Sequence, residues 1–529
     1  MKRLTYGILL MLGMLLASAS CGKTPEPGNK PNQEQGSGNG DNGGENGGNT
    51  TPEPPSFGMN AIYVFNQRAV YDEATSTFKV VMPTRTDFSE LKVDFLTQGY
   101  PVEILVNGEP VITGSKMDLT EPIKVTLKCQ EYTKDYTLIA KNTGLPIVRI
   151  KTPNSAGINS KEVWLEGAEM TIELADGTLD YEGTMSIKGR GNSTWNYPKK
   201  PYALKLDSKA KILGMPKHKR WILLANWKDR TLLRNDAAFW LSRTAPSIDY
   251  TVRGQFVELE LNGSHRGNYY LCEQIKIDAN RVNINKMADF ETDPEKITGG
   301  YIMELDTYFD EPLKFRSPRY NLPYQFKDPD DSGLSAEAVD YFKGFIANLE
   351  DLLADTERVK NHEYEEYFDV DSSIDYMFVE ELTNNTDFYN YWPSEGSHSV
   401  YLYKEQNGKL YSGPAWDFDY HGFVPNLSYQ WAGANKATYY PRLYKDDKYR
   451  NRMLQKWEEE KDAFLGLSEY IDQMADYIRE SEEINHRLWP ISNDENGDEK
   501  MTFQQSVDRI KDGFKKKHDW MTKHLKDLK

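Results

Sequence analysis

The order of two hydrophobic patterns along the chain constrains its fold most strongly. From residue 145 onwards, short runs rich in β-branched and aromatic residues come first, as in "TMSIKG", "KPYALKLD" and "GQFVELEL", and predict β-strands. Beyond residue 334, longer segments such as "SAEAVDYFKGFIANLEDLLADT" place apolar residues at helical spacing. This order predicts an α+β fold, in which a cleft between a β-rich and an α-rich lobe is the expected ligand site.

Residues 57–144 show a different pattern, with no helical periodicity. The runs "TFKVVMP", "PVEILVNG" and "PIKVTLKCQ" are short, β-rich and separated by turn residues, and "VNGEPV" is typical of a hairpin. Strands at this spacing predict a small immunoglobulin-like β-sandwich. Since no catalytic constellation occurs there, we expect a spacer or an interaction module rather than an enzyme.

Residues 1–56 are predicted to target and tether the protein. Residues 1–21 have a short basic start, an apolar run and a small-residue stretch "SASC" that ends at Cys21, which resembles a bacterial lipobox. On this interpretation Cys21 carries a lipid and anchors the protein in the bacterial cell envelope, outside the cytoplasm, at the outer membrane or the cell surface. The alternative is an ordinary secretory signal. Residues 22–56 are rich in Gly, Asn and Pro and predict a disordered tether.

The charge balance excludes one class of partner. The 529 residues carry a formal net charge of −17, whereas a nucleic-acid-binding protein needs a basic face. We therefore expect no nucleic-acid partner, although a local basic pocket is compatible with this charge.

A glycine-rich hairpin is the first candidate for a binding site. The stretch "KGRGNSTWNYPKK" contains Gly189, Arg190 and Gly191 and ends on Lys199 and Lys200. Glycines allow main-chain N–H groups to approach an anion, and the cations add charge, as in the phosphate-binding loops of kinases. The alternative is a β-turn with surface lysines.

A group of acidic and amide side chains is the second candidate. Asn385 and Asp387 follow a predicted helix, and the hairpin "VYLYKEQNGKLYS" precedes Asp417 and Asp419 in "GPAWDFDYHG". If that segment is extended, Asp417 and Asp419 point in one direction, and a divalent cation would relieve their repulsion. Oxygen ligands favour Mg²⁺ or Mn²⁺. The alternative is a solvated turn.

Two further charged residues admit both a functional and a structural interpretation. Arg234 in "LLRND" is predicted to begin a helix, where it is able to contact a phosphate or a carboxylate. Glu273 in "YLCEQIKI" lies on a predicted strand among apolar residues and needs a cationic partner. A structural ion pair is the alternative for each of them.

Several long motifs, in this order, resemble the CotH family of spore-coat-protein-H-like kinases. They are "KGRGNSTWNYPKKPYALKLD", "LGMPKHKRWILLANWKDRTLLRN", "GNYYLCEQIKID", "GGYIMELD" and "GPAWDFD". The resemblance covers roughly residues 146–529 and does not include the tether or the predicted sandwich. Together with the N-terminal patterns it gives four predicted segments: a signal peptide (1–21), a tether (22–56), a β-sandwich (57–144) and a CotH kinase-like domain (145–529).

The resemblance implies a two-lobed, atypical protein-kinase-like fold that uses ATP and Mg²⁺ (or Mn²⁺) to phosphorylate Ser or Thr hydroxyls of a protein acceptor that the sequence does not identify. The catalytic residues it implies are Asp387, Lys200 and Arg190, with Lys199 and Lys205 as alternatives for the lysine. The nucleotide-binding residues it implies are Gly189, Gly191, Arg234 and Glu273. The metal ligands it implies are Asp417, Asp419 and Asn385.

Two departures from the family pattern leave the activity open. The segment after "WDFD" reads "YHGFVPN", and the insertion "YWPSEGSHS" lengthens the loop after Asp387. Either departure is compatible with a changed acceptor or with nucleotide binding without transfer. A non-catalytic adhesin or glycan-binding lipoprotein is the main alternative, and a glycoside hydrolase that uses Asp387 and Asp417 is a third.

Overall fold

The computed structural model describes residues 55–330, 332–389, 396–425, 429–491 and 496–529. Cys21, the predicted signal peptide and all but the last two residues of the predicted tether lie outside these ranges. Among the described helices, none combines the length and the apolar character that a membrane span requires.

The N-terminal region is all-β, as predicted. Its strands are β1 (Phe57–Val64), β2 (Gln67–Arg68), β3 (Val70–Asp72), β4 (Thr77–Met82), β5 (Leu91–Gly99), β6 (Glu103–Val106), β7 (Glu109–Val111), β8 (Ser115–Met117), β9 (Ile123–Cys129) and β10 (Tyr132–Asn142). One sheet has the order β2-β1-β5-β8 and the other the order β3-β4-β10-β9-β6-β7. Apolar residues of both sheets, among them Ile62, Val80 and Val125, form one core. The β6–β7 hairpin at Asn107–Gly108 is confirmed, and the immunoglobulin type stays a prediction.

A closed barrel follows. Its strands are β11 (Ile147–Lys151), β12 (Leu165–Glu173), β13 (Leu179–Gly189), β14 (Tyr202–Ile212), β15 (Met215–Leu224), β16 (Gly254–Leu261) and β17 (Ser264–Glu273). The order around the barrel is β11-β12-β13-β14-β15-β17-β16, and the parallel pair β11–β16 closes it. Inward-pointing residues such as Met170, Leu204 and Trp221 are fully buried. The barrel interior is therefore a packed core and not a ligand site.

A five-stranded sheet forms the second β element. Its strands are β18 (Tyr301–Leu305), β19 (Lys314–Arg316), β20 (Pro323–Asp328), β21 (Val400–Lys404) and β22 (Leu410–Ser412), in the order β19-β20-β18-β21-β22. The β21–β22 hairpin confirms the prediction made from "VYLYKEQNGKLYS".

Eight α-helices complete the described fold. They are α1 (Arg234–Thr244), α2 (Ala336–Ala354), α3 (Thr356–Lys360), α4 (Val370–Leu382), α5 (Tyr440–Leu443), α6 (Asp447–Phe464), α7 (Leu467–Leu488) and α8 (Phe503–His524). Side-chain caps start the longer ones: Ser335 accepts from the N–H of Ala338 in α2, and Thr502 with Gln505 forms a capping box in α8.

Helix α7 contacts both the barrel and the N-terminal region. Asn268 of β17 donates a hydrogen bond to Ser481 of α7 at 3.0 Å, and Ser481 donates to Glu258 of β16 at 2.8 Å. On the N-terminal region, Lys79 of β4 forms a 3.1 Å ion pair with Glu480 of α7. The α+β prediction is confirmed, with an all-β N-terminal region, whereas a kinase-like two-lobed arrangement stays a prediction.

Candidate active site

A large cavity lies between the barrel and the five-stranded sheet. Its volume is about 830 Å³, within the range of roughly 300–1,000 Å³ that is usual for small-molecule sites. The barrel contributes the ends of β13 and β15, and the other wall consists of residues near β18 and of the loops around the β21–β22 hairpin. Seven residues named from the sequence line this cavity: Gly189, Arg190, Gly191, Lys199, Asp387, Asp417 and Asp419.

The glycine-rich hairpin brings its main chain close to the cavity. A Cβ atom added to Gly189 would lie only 2.3 Å from the Trp195 indole, so the position has room for glycine alone. Gly191 has a φ of 86°, which glycine adopts without strain. Between them, Arg190 is half-buried, with its guanidinium carbon 5.3 Å from the ring centroid of Trp416. The hairpin thus holds one cation at the cavity.

The two lysines that follow the hairpin direct their ammonium groups at main-chain carbonyls. Lys199 is fully buried and donates to the carbonyl oxygen of Ala225 at 2.7 Å, and burial lowers its pKa. Lys200 donates to the carbonyl oxygen of Trp195 at 2.6 Å and is not among the cavity-lining residues. Lys205 is exposed. The structure therefore does not place Lys200 at the site, because its ammonium closes the hairpin instead.

Asp417 and Asp419 lie in a loop beyond β22. Asp417 has a φ of 72°, so the chain is not extended there and the condition for a shared side-chain direction is not met. The two carboxyl groups nevertheless interact electrostatically. Burial, with repulsion from Asp417, raises the pKa of Asp419 to about 8. Burial also raises the pKa of Asp417, and the charge of Arg190 opposes this rise. A proton shared by the pair relieves the repulsion.

A tight turn after α4 positions Asp387. The Asn385 side chain accepts a 3.1 Å hydrogen bond from the N–H of Asp387 and donates one of 2.8 Å to Glu380. Glu380 is buried in α4, and burial raises its pKa to about 8. Asn385 does not line the cavity. Its amide fixes the turn that carries Asp387, and the structure does not bring it to the predicted metal position.

Arg234 begins α1 as predicted, but its side chain does not line the cavity. It is fully buried and forms ion pairs with Asp229 and, at 2.8 Å, with Asp498. Arg234 therefore belongs to a buried ion cluster, and its side chain does not reach the cavity where a nucleotide contact was predicted.

Glu273 likewise lies outside the cavity lining. Its buried carboxylate accepts from Arg253 Nε at 2.9 Å and from the Tyr250 hydroxyl at 3.0 Å. These partners satisfy the charge inside the barrel wall, so the structural alternative describes Glu273 better than a nucleotide contact.

Lys228 lines the cavity and was not among the residues singled out from the sequence. Its ammonium lies 4.5 Å from the Tyr197 ring centroid and 4.9 Å from that of Tyr420. Burial lowers its pKa, and the charges of Asp419 and Asp387 oppose this effect. Nothing in the motif "NWKDR" distinguishes Lys228 from a surface lysine, so only the tertiary structure identifies it.

Asp306 and His398 also line the cavity and are both buried. Asp306 directly follows β18, and its Oδ1 lies 3.0 Å from Nδ1 of His398. A buried acid that ends an apolar strand requires a partner, and His398 is that partner here. His398 belongs to the inserted stretch after Asp387, where no sequence pattern points to it.

The metal-binding capacity of the cavity depends on few protein ligands. In the parts of the chain that the structure describes, no group of three His, Cys, Asp or Glu side chains is arranged to hold a metal ion by itself. Asp417 and Asp419 supply two carboxyl groups. Mg²⁺ is commonly bound by one or two carboxylates together with substrate phosphates, so the two aspartates would need such phosphates as further ligands.

Comparisons with known proteins identify one family. A family model described as CotH kinase protein matches residues 187–521. No curated protein matches this chain.

Two solved structures show only remote similarity. A DUF4623 family protein from Bacteroides eggerthii DSM 20697 has 10% identity and a TM-score of 0.14, over 33% of this chain and 58% of that chain. A protein from Bacteroides thetaiotaomicron VPI-5482, provisionally assigned as a glycoside hydrolase, has 13% identity and a TM-score of 0.15, over 53% of this chain and 85% of that chain. Both scores are too low to support an argument about fold or function.

Proposed function

Since the chain belongs to the CotH kinase protein family, we propose that it transfers the terminal phosphoryl group of ATP to a Ser or Thr hydroxyl of a protein acceptor. The observation that carries this proposal is the composition of the cavity. Arg190 and Lys228 supply positive charge on its lining, and Asp387, Asp417 and Asp419 supply carboxyl groups on the same lining. Phosphoryl transfer requires both kinds of group around one substrate.

The carboxyl pair fits a divalent cation. Burial, together with repulsion from the nearby Asp417, raises the pKa of Asp419 to about 8, as expected for two carboxyl groups that lie close to each other. The donor set consists of oxygen atoms, which suits Mg²⁺ or Mn²⁺. When bound, such a cation neutralises phosphate charge and orients the group to be transferred.

The side chains of the cavity have separate tasks in this proposal. Asp387 accepts the proton of the acceptor hydroxyl, since the turn fixed by Asn385 holds it at the cavity. Arg190 binds phosphate oxygens, and the Trp416 ring beneath its guanidinium limits its motion. Lys228 adds a second cation near Asp387 and Asp419.

The proposal extends to the architecture and the location of the protein. The barrel with α1 would form one lobe, and the five-stranded sheet with the remaining helices the other, with ATP between them. The cavity lining supports this, since it is drawn from both parts. We further propose that lipid on Cys21 anchors the enzyme in the bacterial envelope, with residues 57–144 as an immunoglobulin-like spacer.

The test is transfer of label from γ-labelled ATP with Mg²⁺ or Mn²⁺ to the full chain, to a Ser-rich protein and to an envelope extract. We expect Asp387→Asn and Asp417→Asn to reduce the rate at least about 100-fold, since each removes a group that acts in the transition state. Asp476→Asn, on the exposed face of α7, is the control and should keep the wild-type rate.

A second pair of variants tests which basic side chain binds the phosphates. Arg190→Met should strongly lower the rate, whereas Lys200→Met should leave it within about threefold, because the Lys200 ammonium is bound to the Trp195 carbonyl. Transfer by both aspartate variants at the wild-type rate would refute the proposed function.

The second candidate is a non-catalytic adhesin or glycan-binding lipoprotein. It is favoured by large apolar side chains that are exposed on the N-terminal region, namely Phe65, Val70, Tyr71, Leu96, Tyr100, Ile112 and Tyr132, since exposed apolar surface often marks a binding site. Absence of both phosphoryl transfer and nucleotide binding would favour this candidate.

A further inference from the structure

Residues 397–399, which we call the brace, touch both acidic segments of the cavity. The N–H of His398 donates a 2.9 Å hydrogen bond to the carbonyl oxygen of Asp387. The hydroxyl of the next residue, Ser399, lies 3.3 Å from Oδ2 of Asp417 and donates to it. Two consecutive residues therefore connect the segment of the proposed base with that of the proposed metal ligand.

Buried hydrogen bonds hold the brace against the five-stranded sheet. Asp306 Oδ1 accepts from Nδ1 of His398 at 3.0 Å, and Thr307 Oγ1 lies 2.7 Å from Nε2 of the same ring. The N–H of Thr307 also donates to the carbonyl oxygen of Ser397 at 3.1 Å. His398 is only 5% exposed. The brace is thus fixed by residues that follow β18, and its last residue, Ser399, lines the cavity.

The backbone at both ends of the Ser399–Asp417 contact has an unusual conformation. Ser399 has a φ of 53° and Asp417 a φ of 72°, both in the left-handed region; aspartate adopts this region more readily than serine does, so the strain lies mainly at Ser399. Such strain persists only where the surroundings enforce it, and it concentrates at functional sites. The two residues line the same cavity.

We propose that Ser399 is a positioning residue, which orients the Asp417 carboxylate for a divalent cation through its hydroxyl hydrogen bond. This inference rests on the proposed function. A group that hydrogen-bonds a metal-ligating carboxylate fixes its direction, and loss of such a partner usually weakens metal binding about 10–100-fold. The present 3.3 Å separation is long for a hydroxyl donor, and contacts of this kind commonly tighten when the substrate binds.

Three variants of Ser399 separate the hydroxyl from the backbone. Ser399→Gly removes the donor and accepts the positive φ without strain. Ser399→Asn tolerates the same φ and restores an N–H donor. Ser399→Ala removes the donor and keeps the strain, so comparison with the glycine variant isolates the backbone contribution.

The measurement is the affinity of the full chain for Mn²⁺, with a non-hydrolysable ATP analogue present, by titration calorimetry. We expect about tenfold weaker binding for Ser399→Gly and Ser399→Ala, at the lower end of the usual range, and an affinity within about threefold of wild type for Ser399→Asn. The melting temperature without metal should not fall in Ser399→Gly, since that variant relieves backbone strain.

Two results would overturn the inference, and they are distinguishable. Wild-type affinity in Ser399→Gly, with the wild-type chain binding Mn²⁺, would refute the role of Ser399 and leave the proposed function intact. Failure of the wild-type chain to bind Mn²⁺ and the analogue would refute the proposed function and the role of Ser399 together.

Discussion

Two buried groups of charged side chains lie near the cavity, and they differ in how their charges are balanced. In the first, Arg234 lies between Asp229 and Asp498, and the exposed fractions of the three side chains are 0%, 0% and 3%. Arg234 Nε also donates to the carbonyl oxygen of Gly422 at 2.7 Å. Although burial lowers the pKa of Arg234, its two acidic partners more than offset this effect and raise it.

The second group contains like charges. Asp417 and Asp419 share one loop, Asp387 lines the same cavity, and Glu380 lies beneath the Asp387 turn. Burial raises the pKa values of Asp419 and Glu380 to about 8 each. The comparison teaches that burial of charge does not by itself mark a functional site. Acids that are matched by a buried cation serve the fold, whereas acids whose pKa values are raised favour the binding of a proton or a cation.

The largest effect on stability is expected when the compensated cluster is broken. Arg234→Met leaves Asp229 and Asp498 buried without their cation, and it should lower the free energy of unfolding by about 3–5 kcal/mol. Urea unfolding of the full chain measures this loss. Arg479→Met, which removes an ion pair whose two side chains are 42% and 74% exposed, is the control and should cost less than about 1 kcal/mol. Equal losses in the two variants would contradict a structural role for the cluster.

The same comparison shows how far sequence reasoning reaches. The strands of "TFKVVMP" and "PIKVTLKCQ", the start of α1 at Arg234 and the β21–β22 hairpin follow from local patterns and are confirmed. Local sequence does not predict the partner Asp498 of Arg234, because Asp498 is distant in sequence and only the tertiary fold brings it close. Local sequence therefore identified the cation but not its function.

In the candidate site, too, local motifs were predictable from the sequence and tertiary contacts were not. Arg190, Asp387, Asp417 and Asp419 were found because glycine-rich and acidic motifs are recognisable in sequence. The direction of Lys200 depends on how the hairpin folds back on Trp195, and the sequence contains no signal for that contact. His398 was missed because its role comes from a buried hydrogen bond to Asp306, 92 residues earlier.

A smaller effect is expected for the pH dependence of stability, which reports the buried acids with raised pKa values. The folded-state pKa of Glu380 is raised from 4.5 to about 8, so between these values the folded chain binds more protons than the unfolded chain. Its contribution is present at low pH and is lost as the pH rises toward 8. Glu380→Gln mimics the protonated acid and should flatten this slope, by up to about 1.4 kcal/mol per pH unit.

Urea unfolding at pH 5, 6.5 and 8, with a chelator present, measures that slope. The exposed Glu366→Gln is the matched control and should keep the wild-type slope. If Glu380→Gln also keeps the wild-type slope, the buried carboxyl of Glu380 is not protonated in the folded chain. Glu380 then no longer supports the contrast between the two charge clusters.

The central claim is that Asp417 and Asp419 are held together to receive a cation. The most direct measurement is the melting temperature of the full chain at pH 8 with and without Mn²⁺ and a non-hydrolysable ATP analogue, for wild type and for Asp417→Asn. A ligand that binds only the folded chain at 100 times its dissociation constant stabilises it by about 2.7 kcal/mol. We predict a clear rise for wild type that is lost or strongly reduced in Asp417→Asn. An equal rise in both proteins, or none in wild type, would contradict the claim.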